Sequence, residues 1–370
     1  MEPRKYDPSL PGQIREKQFT TTHKNGMMVL NKAIPDADGG NVLDPRLREI
    51  IEMKRKMFSA RAKGGWTLSG ERYRPDKVTY DLTTTEVEVT ERLIPAGDHL
   101  IDLYIYRPAN AQPGQPALIY LHGGGFTAGD MRLYANQMKL IAEKSGAVVV
   151  FPEYRLAPEC PFPGPIEDCW GAVQWVHAHA TEIGADPEKL VLAGDSAGGS
   201  LSAACVLQDT DGIVKKLIGI YPGWDMRNYH DIPASEYTWS YEEYNVCDAD
   251  REGAYSRIDR IKSGMEKSDS SSSNNLYLQG KTTTSNPLVS AACASDEQLK
   301  KFPETLVIAA QYDYLTVGAD YAAKRLSDLG VPTRLVHYLG CDHGFLDMLG
   351  TIVQSEELCW TLADELTALK

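Results

Sequence analysis

Lys189-Leu-Val-Leu-Ala-Gly-Asp-Ser-Ala-Gly-Gly-Ser-Leu-Ser-Ala-Ala-Cys-Val-Leu207 is the stretch from which the rest of the chain is read. Lys189 to Ala193 is a short apolar run, as in a buried strand, and the residues from Gly199 onward are small and apolar, as in a tightly packed helix. Between them lies Gly194-Asp-Ser-Ala-Gly-Gly199, a serine between two glycines on a strand-to-helix turn. Such a turn is sharp, and a Cβ at either glycine would collide with the neighbouring strand or helix. The turn lifts the Ser196 hydroxyl clear of the sheet, at the N-terminus of a helix whose dipole favours developing negative charge. Gly and Ser are common in ordinary turns, so what accompanies this one matters.

Upstream, the apolar run Ala117-Leu-Ile-Tyr-Leu121 leads into His122-Gly-Gly-Gly-Phe126. A strand ending in a glycine triplet presents backbone N–H groups with no side chains in the way, either as a plain turn or as an oxyanion hole. Beside Gly194 to Gly199 the oxyanion reading prevails. Gly123, Gly124, Gly125 and Ala197 form it, with the N–H groups of Gly124, Gly125 and Ala197 as donors and Gly123 shaping the turn.

His122-Gly-Gly-Gly-Phe126, Glu153-Tyr-Arg-Leu-Ala-Pro-Glu159 and Gly194-Asp-Ser-Ala-Gly-Gly199, in this order, resemble the hormone-sensitive-lipase-type (bacterial family IV) esterases of the α/β-hydrolase superfamily. The likeness runs from about residue 85 to the C-terminus. In α/β-hydrolases the acid and then the histidine follow the serine. The histidines after Ser196 are His230, His337 and His343. His337 falls inside the strand-like Thr333-Arg-Leu-Val-His-Tyr338 and reads as half-buried structure, while His230 lies in a polar aromatic stretch with no strand before it. His343, in Gly340-Cys-Asp-His-Gly-Phe345, follows the last strand and matches the family's His-Gly-Phe. For the acid, Asp313 ends the strand Thr305-Leu-Val-Ile-Ala-Ala310, where such sheets place functional groups. It matches the family's Asp-x-Leu, with Tyr314 in place of the commoner proline and Thr316-Val317 in place of the usual charged pair. Asp342, beside His343, is expected to point elsewhere, and Asp320 reads as a surface or capping charge.

Apolar runs without alternation at 147–151, 189–193, 217–221 and 305–310 suggest parallel strands covered on both faces. Ile166, Cys169, Trp170, Val173 and Val176 fall at helical spacing. The alternating segments 87–93 and 100–106, joined by Pro95-Ala-Gly-Asp98, read as an antiparallel hairpin. The expected fold is therefore α/β, an α/β-hydrolase sheet flanked by helices. Its expected division is residues 1–80 as an N-terminal cap segment, 81–222 and 286–370 as the catalytic domain, and 223–285 as a cap insertion.

The 370 residues are 42% hydrophobic, ample for one catalytic domain with a cap, and the net charge of −13 with dispersed Lys and Arg argues against a nucleic-acid partner. The N-terminus lacks a signal-peptide core, and no run reaches the ~18 apolar residues of a membrane span, so no membrane insertion is expected. Seven cysteines without paired spacing suggest free thiols and a cytoplasmic location. No metal-ligand spacing is present, and no cofactor or metal is expected.

Asp44 and Pro45 read as the cap and first turn of a helix with Leu47, Ile50, Ile51, Met57 and Phe58 near one face and basic residues among the rest. It fits a membrane surface or, as the family implies, a cap over the site. The insertion from Trp224 to about Ser285, aromatic-rich over 224–244, reads as the other half of the cap and a wall of the substrate pocket or as an ordinary packed insertion, and Ser268-Asp-Ser-Ser-Ser-Ser273 as a flexible loop.

These assignments imply a serine carboxylesterase: Ser196 attacks, His343 is the base, Asp313 orients it, and an acyl-enzyme forms. His122, Asp195 and Glu159 are expected to brace loops, and Phe126, Trp224 and Phe345 to wall the pocket. The family implies a small-molecule, short-chain ester substrate and often a homodimer. A deacetylase of acetylated sugars, a lactonase or an amidase would use the same triad. A non-catalytic small-molecule receptor is the reading of a different class, and the presence of His343 weighs against it.

Overall fold

The computed structural model of the chain describes residues 4–37, 41–60, 67–73, 77–244, 246–263 and 273–369. Among these residues ten strands form one sheet: β1 (Phe19–Thr22), β2 (Met28–Lys32), β3 (Val87–Ala96), β4 (His99–Pro108), β5 (Gln115–Leu121), β6 (Val148–Pro152), β7 (Ala185–Asp195), β8 (Val214–Ile220), β9 (Glu304–Ala310) and β10 (Thr333–Tyr338). Their order is β1-β2-β10-β9-β8-β7-β5-β6-β4-β3. The central pairs are parallel, whereas β1–β2, β3–β4 and β4–β6 are antiparallel.

The continuous apolarity of the central strands has the cause expected of parallel sheets, burial on both faces. Ile119, Val150, Leu192 and Leu217 share one core with the helices Gly164–His179, Ala197–Gln208 and Thr316–Asp328. Their strand neighbours Leu118, Val149, Val191 and Ile218 face the other way, toward the helices Met131–Ser145 and Val353–Thr367. The hairpin is longer than its alternating pattern, because β3 runs on through Pro95 and Ala96 and the turn reduces to Gly97-Asp98.

The N-terminal segment corrects the expectation of a cap over residues 1–80. β2 pairs in parallel with β10 and β1 closes the edge, so residues 19–32 belong to the sheet. The preceding helix, Leu10–Glu16, packs Leu10 and Ile14 against Val353. The helix Pro45–Ala60 adds no strand to the sheet and packs apolar residues into a core shared with it. Its start is held by Asp44, whose carboxylate accepts from Arg46 N at 2.9 Å. Leu47 and Ile51 are buried with Ala254 and Ile258 of the helix Arg251–Ile258, so its apolar stripe turns inward. The side chains of Met57 and Phe58, and the serine run 268–272, lie outside the described residues. No helix among the described residues is long and apolar enough to cross a membrane.

Candidate active site

Parallel register brings the motifs to one edge of the sheet. Leu121 at the end of β5 pairs with Gly194 of β7, which sets the glycine triplet beside the serine turn. Asp195 pairs with Ile220 and Ile220 with Ile308, while Ala310 of β9 pairs with Tyr338 of β10. Ser196, Asp313 and His343 thus emerge from the carboxyl ends of β7, β9 and β10, where open α/β sheets hold ligands.

Ser196 has φ +53° and ψ −119°, a conformation rarely taken by residues with a Cβ. Its N–H donates to Ile220 O at 2.9 Å, and its carbonyl accepts from Ser200 N and Gly223 N, both at 3.2 Å. A Cβ on Gly194 would overlap the carbonyl of Gly198, and one on Gly198 would overlap the carbonyl of Leu121. The strained turn persists because strand and helix approach this closely.

The Ser196 Oγ lies 2.8 Å from His343 Nε2, and His343 Nδ1 lies 2.7 Å from Asp313 Oδ2. Asp313 is fully buried, and its other oxygen accepts from Leu315 N at 2.9 Å. Thr316 pins the same turn by donating its hydroxyl to Ala310 O at 2.7 Å. The imidazole is 16% exposed and sits between two rings, Tyr221 edge-on at 4.9 Å and Tyr314 tilted at 5.3 Å. Tyr314, where the commoner motif has proline, therefore packs directly on the imidazole.

Gly124 and Gly125 have φ +132° and +62°. The Gly124 carbonyl is turned into the loop, where Thr127 N and Ala128 N donate to it. Ala197 is the first residue of its helix, so its N–H has no intrahelical partner. The Gly123 N–H is already engaged: it donates to Asp195 Oδ1 at 2.8 Å. Asp195 also accepts from the Tyr120 hydroxyl at 2.9 Å and the Tyr134 hydroxyl at 3.1 Å. Burial, and then the neighbouring Asp347 carboxylate, pushes Asp195 up to about 7. His122 stacks on Tyr154 at 4.3 Å and places Nδ1 2.8 Å from Gly123 O, and burial pushes its imidazole down to about 4. Glu159 pairs with Arg72, whose guanidinium also donates to Thr127 O and Ala157 O.

Two expectations need correction. Phe126, Trp224 and Phe345 are enclosed in the core and line no open surface. Phe126 stacks on Tyr277 at 4.0 Å, Trp224 donates from Nε1 to Gly199 O at 2.9 Å, and Phe345 packs on Tyr221 and Tyr338. Asp320 is buried and paired with His337 at 2.8 Å and His23 at 3.4 Å, so it is no surface charge. Asp342 does point away from the row, but as a buried anion: burial alone would raise its carboxyl, and Lys54 and Arg257 more than reverse this, holding it below the usual range. Nothing in the local pattern marks Lys54 or Arg257; Tyr314 was visible only as a departure from the motif. Among the described residues, no three His, Cys, Asp or Glu side chains are grouped to hold a metal.

A serine on a strand-to-helix elbow, followed in chain order by a carboxylate and a histidine that join it in one hydrogen-bonded row above a mostly parallel sheet, marks the α/β-hydrolase class. A family model described as alpha/beta hydrolase fold matches residues 118–347. Esterase LipI of Mycobacterium tuberculosis is 30% identical over 271 residues, 71% of this chain and 76% of that protein. The versiconal hemiacetal acetate esterase of Dothistroma septosporum is 29% identical over 73% of this chain and 77% of its own length. A thermostable esterase from Pseudomonas putida superposes with a TM-score of 0.68 at 27% identity, covering 90% of this chain and 98% of that one. Carboxyl esterase 2 from Tuber melanosporum gives 0.64 at 25% identity, over 89% and 98%. The chain belongs to the hormone-sensitive-lipase-type esterases of the α/β-hydrolase superfamily and is a carboxylic ester hydrolase.

Proposed function

We propose that the chain hydrolyses small, short-chain acyl esters through an acyl-enzyme on Ser196. The observation that carries the proposal is the row Ser196 Oγ, His343 and Asp313 with contacts of 2.8 and 2.7 Å. His343 takes the serine proton as Oγ attacks the ester carbonyl, and Asp313 holds the tautomer and stabilises the imidazolium. The N–H groups of Gly124, Gly125 and Ala197 receive the oxyanion. His343 returns its proton to the leaving alcohol, and water then cleaves the acyl-enzyme by the same relay.

The acetate ester named for the Dothistroma relative supports a short acyl group. We assign the helices Pro45–Ala60 and Leu68–Arg72, with residues 223–285, to a cap over this edge of the sheet. Seven unpaired thiols support a cytoplasmic location.

The test is a series of p-nitrophenyl esters from acetate to octanoate, beside an acetylated sugar, a lactone and an anilide. Short esters are expected to turn over fastest, and Ser196→Ala to lose on the order of 10⁴-fold or more in kcat. Turnover retained by Ser196→Ala, or a preference for the anilide, refutes the proposal.

A further inference from the structure

Asp342, the residue before His343, is a fully buried carboxylate whose cations come from far away in the chain. Lys54 Nζ, from the helix Pro45–Ala60, is 2.9 Å from Oδ1 and 3.1 Å from Oδ2 and donates to the His343 carbonyl at 3.0 Å. Those three acceptors match the three donors of an ammonium. Arg257 Nε, from the helix Arg251–Ile258, donates to Oδ2 at 2.7 Å. Both side chains are largely out of water, at 16% and 4% exposure. A third contact joins from the other side, with the Arg260 guanidinium 4.2 Å over the Tyr314 ring, which itself packs on the imidazole.

We propose that Lys54 and Arg257 are positioning residues for ester hydrolysis, tying both parts of the cap to the backbone that carries His343. The proposal rests on the reading of His343 as the base. The imidazole stands on a loop after β10, followed by Gly344 at φ +78°, and must keep two hydrogen bonds in line. Lys54 fixes the histidine's own carbonyl, and the shared carboxylate fixes the residue before it. When the cap is seated, the base is aligned with Ser196; when either tie is lost, the loop is freed to tilt the ring.

The groups in contact with the imidazole are Asp313, Ser196, Tyr221 and Tyr314; behind its backbone lie Asp342 with Lys54 and Arg257, and behind Tyr314 lies Arg260. Lys54 and Arg257 both bond the Asp342 carboxylate, so removing either leaves the other in place on it. Removing one positive charge from this cluster favours the protonated, inactive form of the site and moves the acid limb of kcat/KM to higher pH.

The test measures p-nitrophenyl acetate hydrolysis by Lys54→Met, Arg257→Met and Lys54→Arg across roughly pH 5 to 9. Thermal unfolding is recorded beside it. Each Met variant is expected to lose about tenfold in kcat with little change in KM. Each is also expected to raise the acid limb by about half a pH unit. Lys54→Arg should restore the limb and most of the turnover. Where a Met variant unfolds, Lys54→Gln removes the charge while keeping a donor to the His343 carbonyl, and the same limb displacement is expected. Wild-type kcat and limb in the folded variants overturn the proposal, as does a loss of kcat with an unmoved limb that Lys54→Arg fails to restore. His343→Ala run alongside separates the two levels: turnover retained there removes the base assignment itself.

Discussion

Asp195 and His122 lie beneath the glycine loop and titrate in opposite senses. Burial and the nearby Asp347 carboxylate push Asp195 up to about 7, and burial pushes His122 down to about 4. Between roughly pH 4 and pH 7 the folded chain keeps a proton on Asp195 that the unfolded chain has released. The contribution of Asp195 to stability is thus present at low pH and lost as pH rises through that window. For His122 the unfolded imidazole charges below about pH 6.5 and the folded one only near 4, so stability is lost as pH falls. Asp195→Asn removes the first slope and leaves the second. Relative to wild type it should gain on the order of 2–4 kcal/mol between about pH 4.5 and pH 8, read from urea unfolding at both values. A gap between the two proteins that does not change with pH contradicts the buried-acid account.

The strand-to-helix turn works at the level of elements because β7, the helix Ala197–Gln208 and the end of β5 meet with no room for a Cβ. A methyl group on Gly198 would run into the carbonyls of both Leu121 and His122. Those carbonyls begin the loop whose Gly123 N–H is held by Asp195. Gly198→Ala is therefore expected to cost roughly 2–3 kcal/mol in stability and to displace the glycine triplet relative to Ser196. Differential scanning calorimetry with ester kinetics checks both, and an unchanged melting temperature with unchanged turnover would remove the close-approach argument. The helix Pro45–Ala60 illustrates the same dependence on neighbours. Its basic residues Arg48 and Lys54 are committed to Asp250 and Asp342, and its buried stripe to the helix Arg251–Ile258.

Across the whole molecule, the first residues of the chain are held by acids near its end. Glu356 is fully buried and accepts from Arg4 at 2.6 and 2.7 Å and from Tyr6 at 2.8 Å. Its neighbour Glu357 accepts from Lys32 at 2.9 Å, Arg15 at 3.1 Å and the Tyr338 hydroxyl at 2.6 Å. Removing Arg4 leaves a buried carboxylate with no bonded cation among the described residues. Arg4→Met should cost about 3 kcal/mol, and the double variant Arg4→Met, Glu356→Met should recover most of that loss. Guanidinium unfolding of the two variants decides it: equal instability in both would mean that the ion pair is not the cause.

The sequence by itself determined the central sheet and the serine turn. Buried parallel strands read as apolar runs, and a strand-to-helix turn this tight admits few residues besides glycine, so 147–151, 189–193, 305–310 and Gly194 to Gly199 were legible locally. Asp313 and His343 were legible through motif and chain order, but not through distance. Only the tertiary structure decided that side chains 147 and 30 residues apart share one hydrogen-bonded row. It also decided that residues 19–32 join the sheet, that Phe126, Trp224 and Phe345 are enclosed, and that Lys54 and Arg257 converge on Asp342. The physical reason is that periodicity records how each residue meets its own element and the solvent. Strand register and the pairing of charges distant in the chain belong to contacts that exist only once the sheet has closed and the helices have packed upon it.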